Sequence, residues 1–149
     1  MSYETIQAGL LAVIRKLTNY TSSNTSLADY RYLQRGYDKI VVLRPGAFTR
    51  ERTGFRGGKE NTWDIIVELF IKYQDDAQAQ NAVRDERQDI IDKVDEYPKL
   101  DATSGVLIAD IISGAEPTPV FAEDGSGPHF IMAEMTCRVI EDITVTEAE

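Results

Sequence analysis

One hundred and forty-nine residues, 42% hydrophobic and 28% charged, are enough for one domain with a proper core. That apolar content excludes a disordered chain, and no apolar run approaches the roughly 20 residues of a spanning helix, since even Ile65 to Ile71 is interrupted by Glu68. Sixteen Lys and Arg against 25 Asp and Glu leave a formal charge of -9, the opposite of what a protein needs to grip DNA through its phosphates.

No basic start followed by an apolar stretch and a small-residue cleavage site is present, so no secretion signal is expected. Cys137 is alone, which excludes a disulfide framework or a cysteine zinc site within one chain and favours an intracellular setting. A single domain over residues 1–149 is expected, without repeats or an internal boundary.

Ser2 can cap a helix from Tyr3, where Ile6, Leu10, Val13, Ile14 and Leu17 recur at helical spacing and end near Leu17 or Thr18. The Ser/Thr/Asn-rich stretch Asn19 to Ser26 reads as a loop, and its two glycosylation sequons are accidental without a secretion signal. Ile40 to Leu43 is a short β-branched strand ended by Arg44-Pro45-Gly46. From Ala47 to Glu60 no period is visible. Gly54, Gly57 and Gly58 loosen a segment carrying Arg50, Arg52, Arg56 and Lys59, so a long basic loop is expected in an acidic chain.

Thr62 to Tyr73 is the clearest strand, with Trp63, Ile65, Val67, Leu69, Ile71 and Tyr73 on one face. Asp75 and Asp76 open a second helix whose stripe is Ala79, Val83, Ile90, Val94 and Tyr97, and Pro98 stops it. Glu86 and Arg87 weaken the middle of that stripe. Val106 to Ile112 is a third strand, followed by Pro117-Thr118-Pro119 and by turn chemistry at Asp124 to Pro128. In the last strand Ile131, Ala133, Met135, Cys137 and Val139 face inward. It can run to Val145 if a bulge or twist lets Glu141 escape the core, with a frayed tail from Thr146. This order implies an α+β domain: a mostly antiparallel four-stranded sheet with two helices packed on one face.

No catalytic, metal or cofactor site is expected. The Gly54 to Glu60 segment fails as a phosphate loop, because Thr53 fills the first glycine position and Glu60 stands where a metal-binding hydroxyl belongs. The only histidine, His129, and Cys137 would share one strand about 26 Å apart at about 3.3 Å per residue, too far to form a nucleophile–base pair. Asp64, Glu68 and Glu134 share polar strand faces and could in principle meet a hard cation, but a solvated or subunit-facing surface gives the same pattern. The acids of the second helix, mixed with Arg84, Arg87 and Lys93, read as a salt-bridged outer or interface face. Ile66 and Phe70 lie on the otherwise polar face of the best strand and are the candidate subunit interface.

Taken together, the layout resembles the tail-terminator (tail-completion) proteins of long-tailed bacteriophages. The features that carry the resemblance are the first helix Ile6 to Leu17, the short strand Ile40 to Leu43, and a loop before the long strand at Trp63-Asp64-Ile65-Ile66-Val67. A helix ending near Pro98 to Asp101 and two late strands complete it. It spans almost the whole chain and rests on layout, without a signature motif. The resemblance implies a non-enzymatic, homo-oligomeric ring of six subunits. The ring would cap the tail tube protein, stop its polymerisation and join the tail to the head connector or neck, and DNA would pass through without specific binding. It implies a virion location after assembly in the host cytoplasm, no cofactor and no membrane. On this reading the loop Ala47 to Glu60, with Arg50, Arg52, Arg56 and Lys59, is disordered in the free subunit and orders against a protein neighbour. A neck or head-completion protein and a small adaptor binding one protein through its sheet edge are the alternatives; an enzyme is disfavoured.

Overall fold

The long alternating run of β3 (Gly58–Lys72) decides the architecture. Its odd positions Trp63, Ile65, Val67, Leu69 and Ile71 all enter one hydrophobic core. The computed structural model describes residues 3–27, 37–52, 58–72, 76–103, 106–121 and 128–144. In chain order the other elements are α1 (Tyr3–Ile14), β1 (Thr25–Leu27), β2 (Lys39–Arg52), α2 (Asp76–Glu96), β4 (Val106–Gly114), β5 (Thr118–Phe121) and β6 (Pro128–Thr144).

The sheet has six strands in the order β1-β2-β3-β6-β4, with β5 also pairing β6. This corrects the expected four-stranded, mostly antiparallel sheet, although the α+β class stands. The added strands have physical reasons to escape a reading of local pattern. β1 is only three residues long and pairs β2 in parallel, Thr25 to Val41 through Leu27 to Leu43. Such a contact has no signature in the Ser/Thr/Asn-rich stretch itself. β5 contains Pro119, which reads as a breaker, yet among the described residues β5 pairs only β6, Thr118 to Met132 through Phe121 to Pro128. Proline is tolerated where a strand has one partner and its missing N–H can face outward.

α1 and α2 contribute Ile6, Leu10, Val13 and Ile14, and Ala79, Val83, Ile90 and Val94, to the core that covers the odd face of β3. α1 ends at Ile14 rather than Leu17 because the chain tightens there, with Lys16 N–H donating to Val13 O and Leu17 N–H to Ile14 O. α1 also comes close to the turn after α2: a Cβ on Gly9 would stand 2.6 Å from Thr103 Oγ1. In that turn Leu100, Asp101 and Ala102 have φ of 49°, 57° and 61°, left-handed values that cost energy for residues with a Cβ. Burial of Leu100 and the bond from Ala109 N–H to Pro98 O at 2.6 Å hold the turn against that cost.

The opposite face of the sheet has a smaller cluster of Ile40, Val42, Phe70 and Phe130, with the Phe70 and Phe130 rings 6.4 Å apart. Among the described residues no helix is long and apolar enough to cross a membrane.

A charged arm and an open sheet face as the candidate site

Beyond Leu43, its last residue paired with β1, β2 continues to Arg52 alongside β3. Gly46 and Ala47 form a bulge between Pro45 and Phe48, after which Phe48 pairs Trp63, Arg50 pairs Asn61 and Arg52 pairs Lys59. β6 lies on the other side of β3 as far as Thr144, so a three-stranded arm carries the charged segment. This corrects the expectation of a long aperiodic loop: after the bulge, Phe48–Arg52 and Gly58–Glu60 are paired strand. Charges and glycines hide the alternation in the sequence, and the regularity comes from the neighbouring strands. Arg56 lies outside the described residues.

Pairing sorts the arm by sign. Phe48, Arg50 and Arg52 share the face of Trp63, Asn61 and Lys59, which is the helix side. Arg52 therefore stands directly across from Lys59. On the other face Glu51 stands across from Glu60, and Glu60 across from Asp142. Like charges directly opposite each other destabilise a sheet, so the end of the arm is electrostatically frustrated on both faces.

The root of the arm is fixed by a buried carboxylate. Glu141, 1% exposed, accepts from Asn61 Nδ2 at 2.7 Å and Trp63 Nε1 at 3.0 Å. Arg50 Nε donates to Asn61 Oδ1 at 2.7 Å. Glu141 therefore does not escape the core through a bulge; two buried donors hold it there. Tyr3 completes the root, donating to Gly46 O at 2.7 Å and packing edge-on against Trp63 at 4.5 Å, while Phe48 lies 4.4 Å from the same indole.

Away from the helices, the open sheet face carries Glu51, Glu60, Asp64, Glu68, Asp110, Glu134 and Asp142 against Arg44, Lys72 and Arg138. Among the described residues, seven carboxylates against three cations give a net of -4. Two of the cations are already bound. Arg44 reaches Glu68 at 2.9 Å and Glu134 at 3.1 Å, and Arg138 grips Asp64 at 2.9 and 3.2 Å. Burial alone would lower the pKa of Arg44, but Glu68 and then Glu134 more than offset it. The carboxylates that could have met a cation thus meet arginines, and among the described residues no group of three acids, cysteines or histidines could hold a metal ion.

Of the candidate interface pair, Ile66 is half-buried, whereas Phe70 is 3% exposed inside the smaller cluster. Cys137 is fully buried opposite Ile65, and burial, then the Asp110 charge, push its thiol up to about 12. The side chain of His129 lies outside the described residues.

Two features escaped the sequence reading. Leu107, Ile108 and Ile112 on β4 are 49%, 46% and 43% exposed. Their signal was the doublets Leu107-Ile108 and Ile111-Ile112, which strict alternation cannot bury together. An open hollow of about 270 Å³ is lined by Ile112, at the end of β4, and by the α2 residues Arg87 and Ile91. Compared with known proteins, the chain matches no family model and no curated sequence.

Proposed function

We propose that this protein is a non-enzymatic component of a long-tailed phage virion, a six-membered ring. The ring caps the tail tube, stops its polymerisation and joins it to the head connector. The observation that carries this reading is the placement of charge. Both helices cover one face of the sheet, and among the described residues the open face has a net of -4 with two of its three cations occupied by carboxylates. DNA carries about one negative charge per 1.7 Å of duplex, so a surface of this kind lets it slide past without adhering. The charged arm then supplies a contact for a protein neighbour.

The test is to add the purified protein to polymerising tail-tube protein and measure tube lengths and tube ends by electron microscopy. A terminator produces capped tubes that stop growing. Tubes that lengthen unchanged, with bare ends, would sink the reading.

The exposed aliphatic side chains of β4 favour a second reading, an adaptor that binds one protein partner along its sheet edge. Such a protein stays monomeric or dimeric and leaves tube growth unaffected.

A further inference from the structure

We infer that the arm of one copy docks on the outer face of α2 of the next copy, its Arg52 and Lys59 meeting the carboxylates of Asp85, Asp89, Asp92 and Glu96. This rests on the ring proposed above and names the arm's partner as a second copy of the chain rather than the tube or the connector. The arm supplies the first half of the argument. Arg52 and Lys59 face each other across two strands and form no ion pair among the described residues. Arg50, already held by Asn61, adds a third positive charge on the same face. A cross-strand pair of like charge is relieved when an opposite charge is laid over it.

Helix α2 supplies the complement. Asp85, Asp89, Asp92 and Glu96 follow one another by four, three and four residues, so they line one exposed face over about 16 Å at 1.5 Å per residue. Their neighbours neutralise them only in part: Arg84 stands 4.0 Å from Asp85 and Lys93 3.0 Å from Glu96, Gln88 gives Asp92 only an uncharged donor at 2.8 Å, and Asp89 has no ion pair among the described residues. Arm and helix face are different surfaces, so the contact is heterologous, the kind that closes a ring when its rotation permits. A contact between exposed charges weakens as salt rises.

Sedimentation velocity on the full chain tests this, with circular dichroism as the folding control. Three variants are compared with the unsubstituted protein: R52E/K59E, D89K/D92K, and the combination of all four changes. The unsubstituted protein should form an oligomer that dissociates with added salt. Each reversal alone should weaken association at least tenfold while the domain stays folded, and the combination should regain the oligomer. As a check that needs no variant, a zero-length carbodiimide applied to a mixture of isotopically light and heavy protein should join Lys59 of one copy to Asp89 or Asp92 of another. A folded oligomer indifferent to both reversals, a combination that stays monomeric, or cross-links confined within single copies would each overturn the inference. A protein that caps tubes yet is monomeric before it reaches them and unaffected by D89K/D92K would overturn it too, with the proposed function left standing. Failure to cap tubes at all counts against that function itself.

Discussion

The phenolic O–H of Tyr20 donates to Glu86 Oε2 at 2.6 Å, joining residues 66 apart in the chain. The other oxygen of Glu86 accepts from Lys39 Nζ at 2.6 Å and Asn19 Nδ2 at 3.0 Å. One carboxylate in the middle of α2 thereby ties the helix to the turn after α1 and to the start of β2.

Losing that carboxylate should be costly. Glu86→Ala leaves the buried Tyr20 hydroxyl without its acceptor, and the expected loss is about 2 kcal/mol. Tyr20→Phe should cost less, about 1 kcal/mol, because Lys39 and Asn19 still hold Glu86. Urea unfolding followed by the fluorescence of Trp63, the only tryptophan, measures both. Equal midpoints for Glu86→Ala and the unsubstituted protein would show that the carboxylate does not bind the elements together.

Two buried groups make the fold sensitive to alkali. Burial, then Glu86, raise the Tyr20 phenol above its ordinary 10.0, and burial, then Asp110, push the Cys137 thiol from 9.0 up to about 12. In both cases folding favours the protonated, neutral form. Their stabilisation is complete below the unfolded values and is lost as pH rises through them toward the folded ones. The melting temperature should therefore fall above about pH 9, and fall less steeply in Cys137→Ala and Tyr20→Phe. An identical slope in all three proteins would rule these groups out as its source. A disulfide reagent should also leave native Cys137 unmodified at pH 8 and react only on unfolding.

How much of this was legible depended on how far apart the deciding residues lie. The alternation of Trp63 to Ile71 is local, so the core face of β3 was readable from the sequence. The mid-stripe Glu86 was visible as an anomaly, but its explanation sits in Tyr20, Asn19 and Lys39, which no local window contains. β1 escaped for a related reason. Asn24 donates to Asn19 O and Lys39 O, and the Thr25 hydroxyl to Thr21 O, so polar residues typical of a loop are tied in by their own side chains. At the candidate site, the positive charge of Arg50, Arg52 and Lys59 was legible. Its division between the two faces of a ribbon appears only in the register of β2 against β3.

The two faces of β3 should respond differently to substitution. Val67 is fully buried in the main core, so Val67→Asp places an unpaired charge there and should unfold the domain at a cost of several kcal/mol. Phe70→Ala removes a side chain buried in the smaller cluster and should cost about 3 kcal/mol. Ile66→Ala, at a half-buried position, should cost less than either. Thermal melts rank the three, and an Ile66→Ala protein less stable than Phe70→Ala would contradict the burial described for the open face.

The root of the arm gives the most local of the predictions. Glu141 accepts hydrogen bonds from both Asn61 and Trp63, and Asn61 in turn accepts from Arg50. Glu141→Ala leaves the buried Asn61 amide and the Trp63 indole N–H without this acceptor, which should cost about 2 kcal/mol. Glu141→Gln keeps an acceptor oxygen and should cost less. The damage should be uneven along the strands. Ile65 to Ile71 are clamped by the helices, whereas Phe48 to Arg52 are exposed and depend on β3 and the root. Amide hydrogen exchange in Glu141→Ala should therefore speed up at Phe48–Arg52 and stay slow at Ile65–Ile71, and Trp63 emission should shift to the red as the indole gains water. Uniform acceleration over both segments would mean that Glu141 supports the whole domain. Unchanged exchange in the arm would mean that cross-strand pairing alone fixes it, and that the buried carboxylate has no part in presenting Arg52 and Lys59.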